Sequence, residues 1–181
     1  MSRISVARVC AHRFASSRCQ EPPVSDFARK AGARRRQVAA IPVRPGADGK
    51  LEVLLVTSRG TRRWLIPKGW PWSSCADWQS AAEEAREEGG VIGIVDHEPL
   101  GSYSYRKGRS DGSTIAVTVT VYRLDVTEVM DVWPEKSERA RGWFSIEAAA
   151  AAVVEPGLKA ILHSLLPPSA TMARAEAQPS A

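Results

Sequence analysis

Four glutamates fall within six consecutive residues, Glu83-Glu84-Ala85-Arg86-Glu87-Glu88, with Gly89-Gly90-Val91 after them and the turn Pro67-Lys68-Gly69-Trp70 before. On a helix turning about 100° per residue, the four carboxylates span an arc of about 140°. Arg86 lies about 60° outside that arc, too far to neutralise its centre. Like charges spaced i,i+4 repel, so Glu83/Glu87 and Glu84/Glu88 strain the helix unless a cation sits among them. A divalent cation with hard oxygen ligands suits that place. The competing reading is a solvated acidic helix face.

The elements around the cluster alternate between strand and helix. Residues 37–44 and 51–58 read as strands joined by the turn Pro45-Gly46-Ala47-Asp48-Gly49, and Trp64-Leu65-Ile66 as a short strand entering the Pro67-Lys68-Gly69 turn. A helix is expected over residues 77–88, with Asp77 as N-cap and Gly89-Gly90 as its stop. Residues 91–105, broken near Pro99, and 113–125 follow as strands. In the second of these, Ile115, Val117, Val119 and Val121 alternate with Thr114, Thr118 and Thr120. Residues 141–145 make a last strand. Helices are expected over Ile146–Val154 and Pro156–Leu166, the latter with Leu158, Ile161, Leu162 and Leu165 as a core stripe.

The net charge of +5 is unevenly placed. Residues 1–36 carry nine Lys/Arg against Glu21 and Asp26, whereas residues 37–181 carry sixteen against eighteen acids. The central region, at −2, is therefore no basic surface, which argues against a nucleic-acid partner. Residues 1–35 are expected to form a basic, disordered segment; a targeting segment and an overlong start are the alternatives. Arg3, Arg8, Arg13 and Arg18 with four serines and no acid in the first twenty residues resemble an organellar import signal in composition, yet their five-residue spacing makes no single helical face. Residues 167–181 read as a disordered tail. No apolar run approaches the roughly 18 residues of a membrane span. Cys10, Cys19 and Cys75 match no disulfide or zinc spacing, which points to a reducing, cytoplasmic home.

Arg59, Arg62, Arg63 and Lys68 lie between Val53 and Ala76 with no intervening acid, and loop-borne cations of this kind grip phosphate. Arg106, Lys107 and Arg109 form a second group, read as a turn after Gly101-Ser102-Tyr103-Ser104-Tyr105. Solvated turns are the plain reading of both. Trp64, Trp70, Trp72 and Trp78 flank the cluster and are expected to pack rather than stack on a base.

Gly69, Glu84, Ala85, Glu87, Glu88, Gly90 and Val91 fall on seven of the nine positions of a known pattern. The segment resembles the Nudix signature: Gly, five residues, Glu, seven residues, then Arg-Glu-apolar-any-Glu-Glu-any-Gly-apolar. Cys75 stands where the first Glu belongs and Glu83 where the Arg belongs. The Trp64-x-x-Pro67-Lys68-Gly69 entry, Trp133-Pro134-Glu135 and Arg139-x-Arg141-x-Trp143-Phe144 are similar to the diphosphoinositol/diadenosine-polyphosphate branch of that family. The resemblance implies an α/β fold over residues 36–166, a Nudix-like α/β/α sandwich with a mixed sheet. It also implies a metal-dependent pyrophosphohydrolase of polyphosphorylated small molecules using Mg²⁺ (or Mn²⁺). Metal binding then falls to the Gly69 carbonyl, Glu84, Glu87 and Glu88, the three glutamates being also the catalytic set, with Glu135 and Glu138 as possible additional acids. The family's arginine at position 83 would hold one of these glutamates in place. Its loss leaves Glu84 without that partner and raises the Glu84 pKa. A catalytically impaired domain that binds nucleotide or polyphosphate as a sensor is the alternative function. Neither substrate identity nor oligomeric state is written in the sequence.

Overall fold

The computed structural model describes residues 35–109 and 112–167. The basic segment and the tail expected at the two ends lie outside these, except that Arg35 already opens the first strand and Pro167 is the last residue described. The elements run β1 (Arg35–Pro45), β2 (Leu51–Thr57), β3 (Trp64–Leu65), β4 (Lys68–Gly69), α1 (Asp77–Gly89), β5 (Val91–Val95), β6 (Gly101–Gly108), β7 (Thr114–Val129), β8 (Arg141–Ser145), α2 (Ile146–Ala152) and α3 (Pro156–His163).

The Val/Thr alternation of β7 makes it the spine of the sheet. One edge pairs in parallel with β1, from Arg35↔Val117 to Val43↔Asp125. The other edge pairs antiparallel with β6, then with β5. β7 runs four residues beyond the expected end because Val91–Val95 continues to offer it a partner, with Val91 opposite Val129. On the far side β2 pairs antiparallel with β1, β3 and β8. The sheet is mixed, as expected.

Its two faces bury separate cores. Val38, Ala40, Leu54, Val56, Tyr122 and Leu124 pack with Ala81 and Ala85 of α1. Ala39, Ile41, Leu55, Val117, Val119 and Val121 pack with Leu158 and Leu162 of α3 and with α2. Period-two strands between two helical layers require this near-continuous apolar run in β1 and β2, since both faces are covered. The expected α/β/α sandwich is the observed one.

The start of α1 differs from expectation. Ala76, not Asp77, is the N-cap residue, and its N–H donates to the Gln79 Oε1 at 3.0 Å. Asp77 instead accepts from the Arg36 guanidinium of β1, which pins the first turn to the sheet. The end agrees: Gly90 takes φ 63° and donates to the Ala85 and Arg86 carbonyls, a conformation in which glycine carries no Cβ penalty. The Arg141 guanidinium then donates to the carbonyls of Gly89 at 2.9 Å and Gly90 at 3.0 Å, closing the helix end from β8.

Leu54 and Leu55 are fully buried on opposite faces of β2. Replacing either with Ala is expected to cost about 2–5 kcal/mol, while Ile94→Ala on β5, 70% exposed, stays within about 0.5 kcal/mol. Urea midpoints at constant m-value check the contrast; a cheap loss at Leu54 would show that α1 is not a packed layer.

Candidate functional site

The turn between β3 and α1 is bound into the sheet by its backbone. β4 pairs with β1 through Val38↔Gly69 and Ala39↔Lys68, and Ala40 N–H donates to the Pro67 carbonyl at 3.1 Å. That register lays Gly69 directly against α1. A Cβ at Gly69 would overlap the Glu84 carboxylate, so any larger residue there would push that side chain from its present place.

The four glutamates of α1 are then sorted by their partners. Arg86 Nε donates to Glu83 Oε2 at 2.6 Å, and its Nη2 to Glu87 Oε1 at 3.2 Å. The expectation that Arg86 stands too far round the helix holds for the middle and far side of the arc but not for its near edge, which a long side chain reaches. Glu88 is 5% exposed. Its Oε2 accepts from the Lys68 backbone N–H at 3.1 Å, and its Oε1 accepts from Arg139 Nη2. Burial pushes the Glu88 pKa up, and Arg139 and Lys68 oppose that shift. Glu84 differs from the other three. It has no hydrogen-bond or ion-pair partner among the described residues, and its pKa is pushed up to about 8 by burial first, then by the charges of Glu88, Glu87 and Glu135.

Glu135 and Glu138 separate in role. Glu135 accepts from Arg139 Nε at 2.5 Å and from Arg59, and its charge reaches both Glu84 and Glu88. Glu138 stands at the rim, 2.6 Å from Arg59 Nε.

The expected phosphate grip is rearranged. Arg59 is engaged by Glu135 and Glu138. Arg62, at φ 54°, donates to the Glu138 carbonyl at 2.9 Å. Arg63 donates to Thr61 Oγ1 at 3.3 Å and lies 3.9 Å from Glu155. Lys68 is electrostatically coupled to both Glu88 and Glu84, with Nζ 5.7 Å from the Tyr105 ring centre. Lys107 joins it. The sequence placed Arg106, Lys107 and Arg109 in a turn, but β6 continues through Gly108, and strand alternation splits the group. Arg106 turns outward onto Thr114 Oγ1 at 3.0 Å, while Lys107 sits 4.9 Å above the Trp70 ring. Burial lowers the pKa of both lysines; their mutual repulsion lowers that of Lys68 further, and Glu88 opposes the shift in each.

Of the tryptophans, Trp64 packs edge-on against Phe144 at 5.0 Å, Trp72 is buried, and Trp78 stacks on His97 at 4.3 Å. Cys75 is half-buried and disulfide-bonded, against the expectation of reduced thiols.

Among the described residues, no three His, Cys, Asp or Glu side chains are grouped as a ready-made cage for a metal ion. The donor chemistry nevertheless fits a divalent cation at Glu84. Both of its oxygens are without a donor, it lies against Gly69, and three further carboxylates raise the negative potential there. A hard cation that keeps several waters needs few protein oxygens. The residue missed by the sequence reading is Arg139. Its only signal was the Arg-x-Arg-x-Trp-Phe run, which gives no indication that position 139 meets position 88.

A family model, NUDIX domain, matches residues 33–165. The chain is 31% identical over 147 residues to Nudix hydrolase 17, mitochondrial, of Arabidopsis thaliana, covering 77% of this chain and 78% of that protein. It is 30% identical over 110 residues to Nudix hydrolase 13, mitochondrial, of the same plant, covering 56% and 53%. With diphosphoinositol polyphosphate phosphohydrolase 3-beta of Bos taurus it shares 34% over 101 residues, covering 54% and 57%. The chain thus spans about half the length of several curated relatives it matches. Two solved structures share the fold: a C. elegans Ap4A hydrolase binary complex, at TM-score 0.55 and 20% identity over 77% of this chain and 98% of that one; and the NUDIX domain of Shewanella oneidensis NrtR complexed with ADP ribose, at TM-score 0.56 and 16% identity over 74% and 88%.

A Glu84 pKa raised from 4.5 to about 8 makes a prediction about stability. Between those values the native state binds the proton that the unfolded state releases, so metal-free stability falls as pH rises through this window. Glu84→Gln removes the charge. In chelator, it is expected to match wild type near pH 5 and to exceed it at pH 8.5 by about 1–4 kcal/mol, at 1.36 kcal/mol per pKa unit. Urea unfolding at the two pH values measures this; an equal difference at both would show that Glu84 is not the strained acid.

Proposed function

The chain belongs to the NUDIX domain family, and on that premise we propose that it is a metal-dependent pyrophosphohydrolase cleaving a diphosphate linkage in a polyphosphorylated small molecule. The observation that carries the reading is Glu84: a half-buried acid without a donor, held against Gly69 and within electrostatic reach of two lysines whose charge burial disfavours. Hydrolysis adds water oxygen to phosphorus and expels the bridging oxygen as a phosphate, and Glu84, once ionised, would accept the proton that the water gives up. Lys68 and Lys107 bind and orient the phosphate chain, each gaining the counter-charge that its surroundings lack. Gly69, Glu84, Glu87 and Glu88 would hold Mg²⁺ (or Mn²⁺), which supplies Lewis acidity and offsets phosphoryl charge when bound. Glu135 adds negative potential at the same place. Glu138, Arg59, Arg62 and Arg63 make the rim rather than the centre.

The name of the bovine relative favours a diphosphoinositol phosphate, and a dinucleoside polyphosphate presents the same linkage. Among the described residues no helix is long and apolar enough to cross a membrane. The plant relatives named as mitochondrial are compatible with the organellar reading of the Arg- and Ser-rich start, beside the cytoplasmic one. The sensor reading draws on Glu83 at the arginine position and on the absence of a three-acid cage among the described residues.

Phosphate release from dinucleoside polyphosphates and diphosphoinositol phosphates with Mg²⁺ separates enzyme from sensor. Glu84→Gln is expected to lower kcat about 10²–10⁴-fold, and Lys107→Met to raise KM with a smaller effect on kcat. Turnover that survives both Glu84→Gln and chelator would place the chemistry elsewhere; binding of these substrates without turnover would favour the sensor.

A further inference from the structure

We propose that Arg139 is the positioning residue of the glutamate cluster, gripping Glu88 from the loop before β8. The inference rests on the metal-dependent reading above and extends it to a residue outside the signature. Arg139 is 9% exposed along its side chain, and its guanidinium spans three acceptors from three places in the chain. Nη2 donates to Glu88 Oε1 of α1, Nε to Glu135 Oε2 at 2.5 Å, and Nη1 to the Thr57 carbonyl at the end of β2 at 2.9 Å. A planar guanidinium held at three points has one orientation, and so does the carboxylate it grips. The second Glu88 oxygen is fixed by Lys68 N–H at 3.1 Å. Each oxygen keeps a lone pair for a further partner, since each accepts one bond of the two it can take.

The loop that carries Arg139 is itself held in place. Glu135 N–H donates to the Glu87 carbonyl at 3.1 Å, Arg139 N–H to the Glu135 carbonyl at 3.0 Å, and Ala140 N–H to Thr57 Oγ1 at 2.9 Å. Position 83 cannot do this work. Glu83 is paired with Arg86 and lies about 140° around the helix from Glu88. An arginine there would stand beside Arg86 and toward Glu87. The substitution that marks this chain as a departure from the signature therefore removes nothing from Glu88.

The test compares the full chain as wild type, Arg139→Met, Arg139→Lys, Glu83→Arg and the Arg139→Met/Glu83→Arg pair. Mn²⁺ affinity is measured without substrate, kcat and KM on a dinucleoside polyphosphate, and thermal unfolding on each. Arg139→Met is expected to weaken Mn²⁺ binding and to lower kcat by about 10–100-fold each, the range for partners that orient a metal ligand, while KM moves less than about threefold. Arg139→Lys recovers part of the Mn²⁺ affinity, and Glu83→Arg recovers none in the pair. A folded Arg139→Met with wild-type affinity and kcat overturns the proposal, and so does rescue of the pair by Glu83→Arg. Should Arg139→Met fail to fold, Arg139→Lys decides. Wild-type behaviour in it overturns the proposal, because an ammonium cannot span three acceptors, and loss of affinity and kcat at an unchanged melting temperature supports it. An inactive wild type that binds no Mn²⁺ removes the functional reading and this inference together; an active wild type with an unaffected Arg139→Met removes this inference alone.

Discussion

Burying the Glu88 carboxylate is the constraint that organises this half of the molecule. A lone carboxylate in a protein interior costs several kcal/mol unless it is paired and hydrogen-bonded. Glu88 stands in the last turn of α1, and its two oxygens are met from opposite directions by Lys68 N–H and Arg139. Each donor imposes its own requirement. The backbone N–H of Lys68 reaches Glu88 only because β4 pairs with β1. Arg139 is in turn fixed by the Thr57 carbonyl, and Thr57 N–H donates to the Ala140 carbonyl at 2.9 Å, so β2, the loop and α1 are tied together at one charge. Arg141, two residues on, completes the link by closing the end of the helix. The carboxylate proposed as a metal ligand and the structural knot are here the same group.

The remaining charges follow from that one. Arg86 takes the near edge of the arc, Glu83 and Glu87, and Arg139 takes Glu88 and Glu135. Glu84, between them, is left with the repulsion of its neighbours. Lys68 and Lys107 are on the opposite side, yet neither forms an ion pair with Glu84 among the described residues. Unlike charges kept apart under partial burial leave each side with an unmet demand, acid for a cation and lysines for an anion. In the proposed reading, a phosphate chain carrying a divalent cation would satisfy both at once.

What the sequence made legible was local. The Gly-Gly stop of α1, the alternation of β7 and the fixed spacing from Gly69 to Val91 are short-range patterns, and each is realised as read. Groups decided by long-range contact were not legible. Arg139 meets Glu88 across 51 positions, and Arg59 meets Glu135 across 76, where it was read as a phosphate ligand. Lys107 was discounted as one of three turn cations because the end of β6 could not be seen; once the strand runs to Gly108, period two alone sends Lys107 inward and Arg106 outward. Asp77 was read as a cap from its type, but an ion pair with Arg36 of β1 offered it more than the helix end did. In each case a side chain with a good local role was taken by a partner from another element.

These contacts also bear on the choice between enzyme and sensor. The case for an impaired domain began with Glu83, on the argument that losing an arginine leaves Glu84 without its orienting partner. In the folded chain Glu87 has Arg86 and Glu88 has Arg139, so neither depends on position 83. What it leaves is Glu84, and Glu84 is the least suited of all groups to a domain that only binds phosphate. Above about pH 8, where it is ionised, a half-buried acid next to a phosphate repels it, and replacing that acid by an amide would strengthen such binding. An uncompensated acid is useful where a cation or a proton is to be taken up during the event itself. That requirement favours hydrolysis over sensing, and it does so through the carboxylate that lacks a partner rather than through the ones that resemble the signature best.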